Sequence, residues 1–219
     1  MQDDIDRVLI DRRAIAARVR ELAARITADL CRSDGSPPSG RRAERPADPA
    51  AAVDPAACEL TLIPILTGSF IFAADLIRHL PLMLQIRLIS ISSYPGTATA
   101  SRGAQLKGEL SHLPASLAGA HMLLIDDILD SGRTLTLAAD TLRQLRPASL
   151  RTCVLLRKRR PAALAVPVDY VAFDIPDEFV VGYGLDFNDY YRNLPDIVTL
   201  RSQVVEAARQ AATPDGQRA

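Results

Sequence analysis

Residues 121–137 read His121-Met122-Leu123-Leu124-Ile125-Asp126-Asp127-Ile128-Leu129-Asp130-Ser131-Gly132-Arg133-Thr134-Leu135-Thr136-Leu137. Met122 to Ile125 is an apolar run with the length and branching of a buried strand. Asp126 and Asp127 stand where that strand is expected to end, and Ile128 to Arg133 is read as a tight turn. From Thr134 onward apolar residues fall at Leu135, Ala138, Leu142 and Leu145, the spacing of one helix face. A strand–loop–helix unit aims free backbone N–H groups at its loop, which suits a phosphate. Gly132 permits the sharp turn, and the hydroxyls of Ser131 and Thr134 add donors. A phosphate would repel the neighbouring carboxylates, so they fit sugar hydroxyls or a divalent cation beside it. In an ordinary strand-to-helix connection, Asp126, Asp127 and Asp130 would crowd a strand end without partners, which is costly. One loop reading phosphate and ribose together is the expectation.

The chain has 219 residues, enough for one large domain or a core domain with a small lobe. Its hydrophobic share of 48% supports a substantial core. Lys+Arg and Asp+Glu both total 26, and a zero formal charge argues against coating nucleic acid, which needs a cationic excess. Cys31, Cys58 and Cys153 lie far apart, with neither metal-ligand spacing nor a disulfide pattern. The first residues lack the basic and apolar regions of a secretory leader, and no run is long enough to span a bilayer. The expectation is a cytoplasmic protein with no membrane and no nucleic-acid partner.

Strands and helices are expected to alternate along the chain. Val8-Leu9-Ile10 is a short strand and Asp11 a helix cap; Ile15, Val19, Leu22, Ile26 and Leu30 then mark an amphipathic helix. Residues 33–57 hold five prolines and no periodicity, so they are read as a disordered insert outside the chemistry. Leu60 to Leu66 is a buried strand, Thr67-Gly68-Ser69 a turn, Phe70 to Leu80 a helix and Leu84 to Ser92 another strand. Further strands are expected at Thr152–Leu156 and Tyr170–Phe173. Such alternation predicts an α/β fold with a mainly parallel sheet flanked by helices.

The Thr67-Gly68-Ser69 turn offers a second backbone anion site. Residues 92–107 are rich in Gly, Ser and Thr and read as a lid that would exclude water. Ile175 to Pro195 is an apolar–aromatic stretch ending in an acidic and aromatic turn, suited to a planar ligand beside a cation. His79, His112 and His121 form no triad with a nucleophile. Asp177-Glu178 is read as a turn cap, and Arg157-Lys158-Arg159-Arg160 as a solvated strand end apart from Lys158.

The central segment Leu124-Ile125-Asp126-Asp127-Ile128-Leu129-Asp130-Ser131-Gly132-Arg133-Thr134 resembles the phosphoribosyl-diphosphate signature of type I phosphoribosyltransferases. With Ile175–Pro195 the resemblance narrows to the hypoxanthine-guanine phosphoribosyltransferases and covers most of residues 5–200. It implies the type I fold in a single domain spanning the whole chain. The N-terminal strand and helix and residues of about 160–200 would form a small hood over the base site. It also implies a magnesium-dependent enzyme of purine salvage. Such an enzyme makes a nucleoside monophosphate and diphosphate from hypoxanthine or guanine and phosphoribosyl diphosphate, and is a homodimer or homotetramer. A xanthine-preferring transferase and an RNA-binding regulator on the same fold are the alternatives. Asp130 and the zero net charge count against the regulator.

Residue by residue, the resemblance places Asp126 and Asp127 on the ribose hydroxyls, and Asp130 both within the phosphoribosyl-diphosphate site and near the purine N7 as general base. Ser131, Gly132, Arg133 and Thr134 match the 5′-phosphate cradle. Leu66, Thr67 and Gly68 match the diphosphate loop, which in that family carries a non-proline cis peptide. Ser93 and Tyr94 match the lid. Lys158 matches the lysine that bonds the purine 6-oxo group, Phe179 the aromatic that stacks on the base, and Val180 a backbone contact to its edge. Asp186 is expected among the purine-binding residues and, with Asp126 and Asp127, on the magnesium side, and Arg192 on the diphosphate. Two positions depart from the family: Asp126 stands where Glu is usual, and Thr67 where Lys or Arg is frequent.

Overall fold

The computed structural model describes residues 1–31, 58–91 and 117–211. The proposed lid residues Ser93 and Tyr94 and the 33–57 insert lie outside them. After a short turn at Gln2–Asp4 the chain forms β1 (Ile5–Ile10) and α1 (Arg12–Leu30). Asp11 caps α1 as expected, its carboxylate accepting from the backbone N–H groups of Arg13 and Ala14. Then come β2 (Glu59–Leu66), α2 (Phe70–Ile77), β3 (Met83–Ile86) and β4 (Ile89–Ser90). The second half holds β5 (His121–Leu129), α3 (Arg133–Arg143), β6 (Ser149–Lys158), α4 (Pro161–Leu164) and β7 (Tyr170–Ile175). It closes with β8 (Val180–Val181), β9 (Ile197–Leu200) and α5 (Ser202–Ala211).

The central sheet runs β3-β2-β5-β6-β7, with β4 also on β2, and every pairing is parallel. A parallel sheet needs cover on both faces, and the two-fold alternation of its strands supplies it. Leu62, Leu123, Ile125, Cys153 and Leu155 face one side with Ile15, Val19 and Ile26 of α1 and Phe72 and Leu76 of α2. Ile63, Ile65, Met122, Leu124 and Val154 face the other with Leu135, Ala138 and Leu142 of α3. A separate antiparallel sheet, β1-β9-β8, brings the N-terminal strand beside the C-terminal segment. Among the described residues no helix is long and apolar enough to cross a membrane.

Several expected boundaries are corrected. The strand expected over Leu84–Ser92 is two short strands. Leu62 O accepts from Arg87 N at 2.9 Å, so alternate residues of β2 face this neighbour. The next such residue is Pro64, which has no N–H to donate, and the ladder breaks between Ile86 and Ile89. The strand expected to end at Ile125 continues to Leu129, because β6 pairs with it through Ile128↔Leu156 and Leu129↔Arg157. The turn therefore begins at Asp130, and the helix after it starts at Arg133, one residue earlier than expected. Helix α2 is also shorter than expected, ending at Ile77.

Strand order reverses between β2 and β5: the chain leaves β2 toward β3 and leaves β5 toward β6. In an open parallel sheet this switch point leaves a crevice at the carboxyl ends of the strands. The loops after β2 and β5 both open into it.

Candidate active site

A cleft of about 340 Å³ occupies that crevice. Leu66, Thr67 and Gly68 from the first loop line it, with Asp126, Asp127, Asp130, Ser131, Gly132 and Thr134 from the second and Asp186 and Arg192 from the C-terminal segment. Residues far apart in sequence thus meet over one small volume. Arg133, the first residue of α3, is exposed and does not line the cleft. Lys158, Phe179 and Val180 lie outside the lining.

The two loops are fitted to each other by glycines. A Cβ on Gly68 would fall inside the Asp127 carboxylate, and one on Gly184 would fall on the Gly68 carbonyl oxygen. The diphosphate-loop candidate is therefore stacked between the acidic pair and the C-terminal turn, and only glycine fits at either contact. The Leu66–Thr67 peptide is cis, as the resemblance implies. Ser69 closes the loop by donating to Ile65 O at 2.6 Å. Gly132 sits at φ 78° at the start of α3, where the αL backbone disfavours a side chain. A Cβ there would also strike Val166.

Asp126 is 5% exposed, although it sits in a β-strand beside a second carboxylate. Its Oδ1 accepts from Asp127 N at 3.1 Å, and Asp127 Oδ1 accepts from Ile128 N at 2.9 Å. Burial, then the neighbouring Asp127, holds the Asp126 carboxyl well above the ordinary aspartate range. Burial raises Asp127 as well, against the opposing pull of its hydrogen bonds and Arg192. Paired carboxylates held against desolvation await a positive or hydroxylic partner.

Their sign on stability follows from linkage. Between the ordinary value of 3.8 and the raised folded value, the folded state binds more protons than the unfolded state. Stability from this pair therefore falls as pH rises through that window, and the cost is complete above it. Asp126→Asn, which keeps the acceptor for Asp127 N, is expected to raise the Tm of the ligand-free protein at pH 7. The gain should shrink to nothing as pH falls through about 4, where aspartate protonates in the unfolded chain too. Thermal melts of both proteins from pH 3 to 8 check this; a gain that is constant with pH would refute it.

Asp186 and Arg192 form one unit. Arg192 Nη2 lies 2.9 Å from Asp186 Oδ1 and 3.1 Å from Asp189 Oδ1, and Nη1 donates to Gly184 O at 2.9 Å. The segment is anchored to α2 by Tyr183, whose hydroxyl donates to Asp75 at 2.7 Å. Burial, then the bond to that carboxylate, drives the Tyr183 phenol up.

Asp130 lines the same cleft. Lys158 Nζ lies 3.1 Å from its Oδ2 and 3.2 Å from Asp177 Oδ1, with the lysine side chain only 11% exposed. Phe179, two residues on from Asp177, is 46% exposed and rests edge-on against Phe187 with ring centroids 5.4 Å apart. Its free face can take a planar ring. Val180 is buried in β8, so it offers a ligand its backbone and not its side chain.

Asp177, expected as a turn cap, holds Lys158 at 3.2 Å and approaches Arg160 at 3.9 Å. Arg160, expected at a solvated strand end, places Nη1 2.5 Å from Asp130 Oδ1. The available signal was spacing: Arg160 is two residues after Lys158 and directly before Pro161. Arg157 does point outward, to Asp174 at 2.7 Å. His121 is satisfied by Ser149 Oγ at 2.8 Å across the β5–β6 pair.

Among the described residues no group of three His, Cys, Asp or Glu side chains is placed to hold a metal by itself. The donors present are hard carboxylate oxygens. They fit a cation that takes one or two protein ligands and completes its shell with substrate oxygens and water, which is the habit of Mg²⁺.

The phosphoribosyl transferase domain family matches residues 9–188, and the chain belongs to it. Within that family the chain is one of the hypoxanthine-guanine phosphoribosyltransferases. It is 37% identical to the Mycobacterium avium hypoxanthine-guanine phosphoribosyltransferase over 203 residues, 93% of this chain and 89% of the relative. A hypoxanthine-guanine-xanthine phosphoribosyltransferase from Tritrichomonas foetus is 34% identical over 205 residues, 93% of this chain and 96% of the relative. The hypoxanthine phosphoribosyltransferase of Trypanosoma cruzi, solved with the product IMP, superposes with a TM-score of 0.73 at 34% identity, covering 92% of this chain and 97% of that one.

Proposed function

We infer that the chain is a purine-salvage transferase that converts hypoxanthine and phosphoribosyl diphosphate to IMP and diphosphate. One observation carries the reading. A glycine-turn phosphate cradle, a buried acidic pair and a glycine-fitted loop converge on one cleft, with a lysine–aspartate pair at its purine end. Ser131 to Thr134 would bind the 5′-phosphate through α3's free N–H groups and their own hydroxyls. Asp126 and Asp127 would accept from the ribose hydroxyls. The Thr67-Gly68 loop and Arg192 would hold the diphosphate, where donors placed at developing charge stabilise the transition state.

At the purine end, Lys158 would donate to the 6-oxo group while Phe179 stacks on the ring. As the purine N9 bonds to C1 and the diphosphate leaves, Asp130 would accept the purine proton. Magnesium, held by Asp126, Asp127 or Asp186 with substrate oxygens, would supply neutralisation of the leaving group's charge. Thr67 brings no cation to the diphosphate, so backbone donors and Arg192 carry that load. The working assembly would be a homodimer or homotetramer, as the sequence resemblance implies.

The decisive assay is spectrophotometric, with phosphoribosyl diphosphate, magnesium and each of hypoxanthine, guanine, xanthine and adenine. Turnover of hypoxanthine with adenine refused is the expected result. Turnover of none of the 6-oxopurines would overturn the reading. A second reading, preference for xanthine, draws on the Tritrichomonas foetus relative, and the same assay decides it.

A further inference from the structure

Asp130, Lys158, Arg160 and Asp177 form a cluster of two carboxylates and two cations at or just past the ends of β5, β6 and β7. Backbone geometry puts them there. Arg159 N donates to Ile175 O at 2.8 Å, and Arg160 N donates back to Lys158 O at 2.9 Å, closing a tight turn. Pro161 confines the residue before it to extended backbone, and Arg160 has φ −128° and ψ 150°. The turn returns the Arg160 guanidinium to the side of the sheet where Lys158 already points.

The result is that both oxygens of Asp130 are held by cations, Oδ2 by Lys158 and Oδ1 by Arg160. Lys158 has a second anchor in Asp177 at 3.2 Å, whereas Arg160 reaches Asp177 only at 3.9 Å. The two cations are therefore not equivalent. Arg160 is committed to Asp130, and Lys158 is shared.

We propose that Arg160 is a positioning residue for the transfer step: it grips Asp130 by Oδ1 so that Oδ2 faces the purine when Lys158 turns to the 6-oxo group. This rests on the reading of Asp130 as the base. The guanidinium stays protonated throughout, so it takes no part in the proton balance. The proton passes from the purine to Oδ2, the N9–C1 bond forms, and the C1–O bond to diphosphate breaks. Asp177 keeps Lys158 within reach of the purine once Asp130 no longer carries a charge to hold it. A carboxylate fixed at one oxygen presents the other within a narrow range of directions, which proximity and orientation require.

The test is a double-mutant cycle on steady-state rates with hypoxanthine and phosphoribosyl diphosphate. Arg160→Gln is expected to lower kcat roughly ten- to hundred-fold, the worth of one charge-assisted hydrogen bond, with KM for phosphoribosyl diphosphate unchanged. Arg160→Lys should recover part of the loss, since an ammonium can reach one oxygen but lacks the fork. In an Asp130→Asn background, Arg160→Gln should cost nothing further. The Tm of each variant separates these effects from a folding defect. If Asp130→Asn loses rate but Arg160→Gln does not, or if the two losses add in full, the positioning role is wrong and the base assignment survives. If Asp130→Asn keeps the wild-type rate, the base assignment itself fails.

Discussion

Asp130→Asn is expected to bind phosphoribosyl diphosphate with near wild-type affinity while its kcat falls by about 10²–10⁴, the usual worth of general-base assistance. Binding should survive because the phosphate cradle begins one residue later, at Ser131, and the acidic pair lies on the preceding strand. The side chain itself is 43% exposed and its ion pairs sit at the rim of the cleft. Losing one should cost the fold less than about 1 kcal/mol. Asparagine keeps an acceptor for one of the two cations but can no longer take a proton. Calorimetric titration with phosphoribosyl diphosphate and magnesium, set beside rates on hypoxanthine and guanine, separates the two effects. If titration is normal and rates stay within a few-fold of wild type, the carboxylate serves only to hold Lys158 and Arg160, and the proton leaves by another route.

Lys158→Ala should act on the other substrate. A charge-assisted bond lost at a closed site costs about 1.5–3 kcal/mol, so KM for hypoxanthine should rise roughly ten- to hundred-fold. The apparent affinity for phosphoribosyl diphosphate should hold, since Lys158 makes no ion pair with the acidic pair Asp126 and Asp127 or with Arg192. The lysine also sits between Asp130 and Asp177, so its removal leaves Arg160 as the sole cation in the cluster. A loss of kcat beside the KM effect would measure that second consequence. Wild type should refuse adenine, whose 6-amino group is a donor facing a donor. Efficient adenine turnover would sink the assignment of Lys158 to the 6-oxo group.

The Arg157–Arg160 run shows where sequence reasoning reached its limit. Four consecutive cations at a strand end read as solvated surface, with Lys158 singled out by resemblance. The structure sorts them by the alternation of the strand and by one proline-fixed turn. Arg157 goes outward to Asp174, while Lys158 and Arg160 go inward to Asp130 and Asp177. Nothing within four residues of Arg160 in sequence reveals the carboxylate it meets, which lies 30 positions away. Strand ends failed for a related reason. Apolar periodicity reports burial, but β5 continues through Asp126 and Asp127 because β6 supplies its hydrogen bonds, whatever the side-chain polarity.

Several features were determined locally and needed no tertiary information. Asp11 caps α1 because its short carboxylate meets the N–H groups of Arg13 and Ala14, both within three residues. The faces of α1 and α3 follow from apolar spacing, and the tight turn before α3 from Gly132. The alternation of strands and helices likewise carried the parallel sheet. The tertiary structure alone decided which loops meet. Gly68 is compelled by the Asp127 carboxylate and Gly184 by the Gly68 carbonyl, contacts that bridge 59 and 116 residues of chain. The burial that raises the Asp126 carboxyl likewise comes from the whole sheet around it. Hydrogen bonds and periodicity act over a few residues, so they can be read in order along the chain. Desolvation and steric fit depend on what folding brings alongside, and no single stretch of sequence contains that.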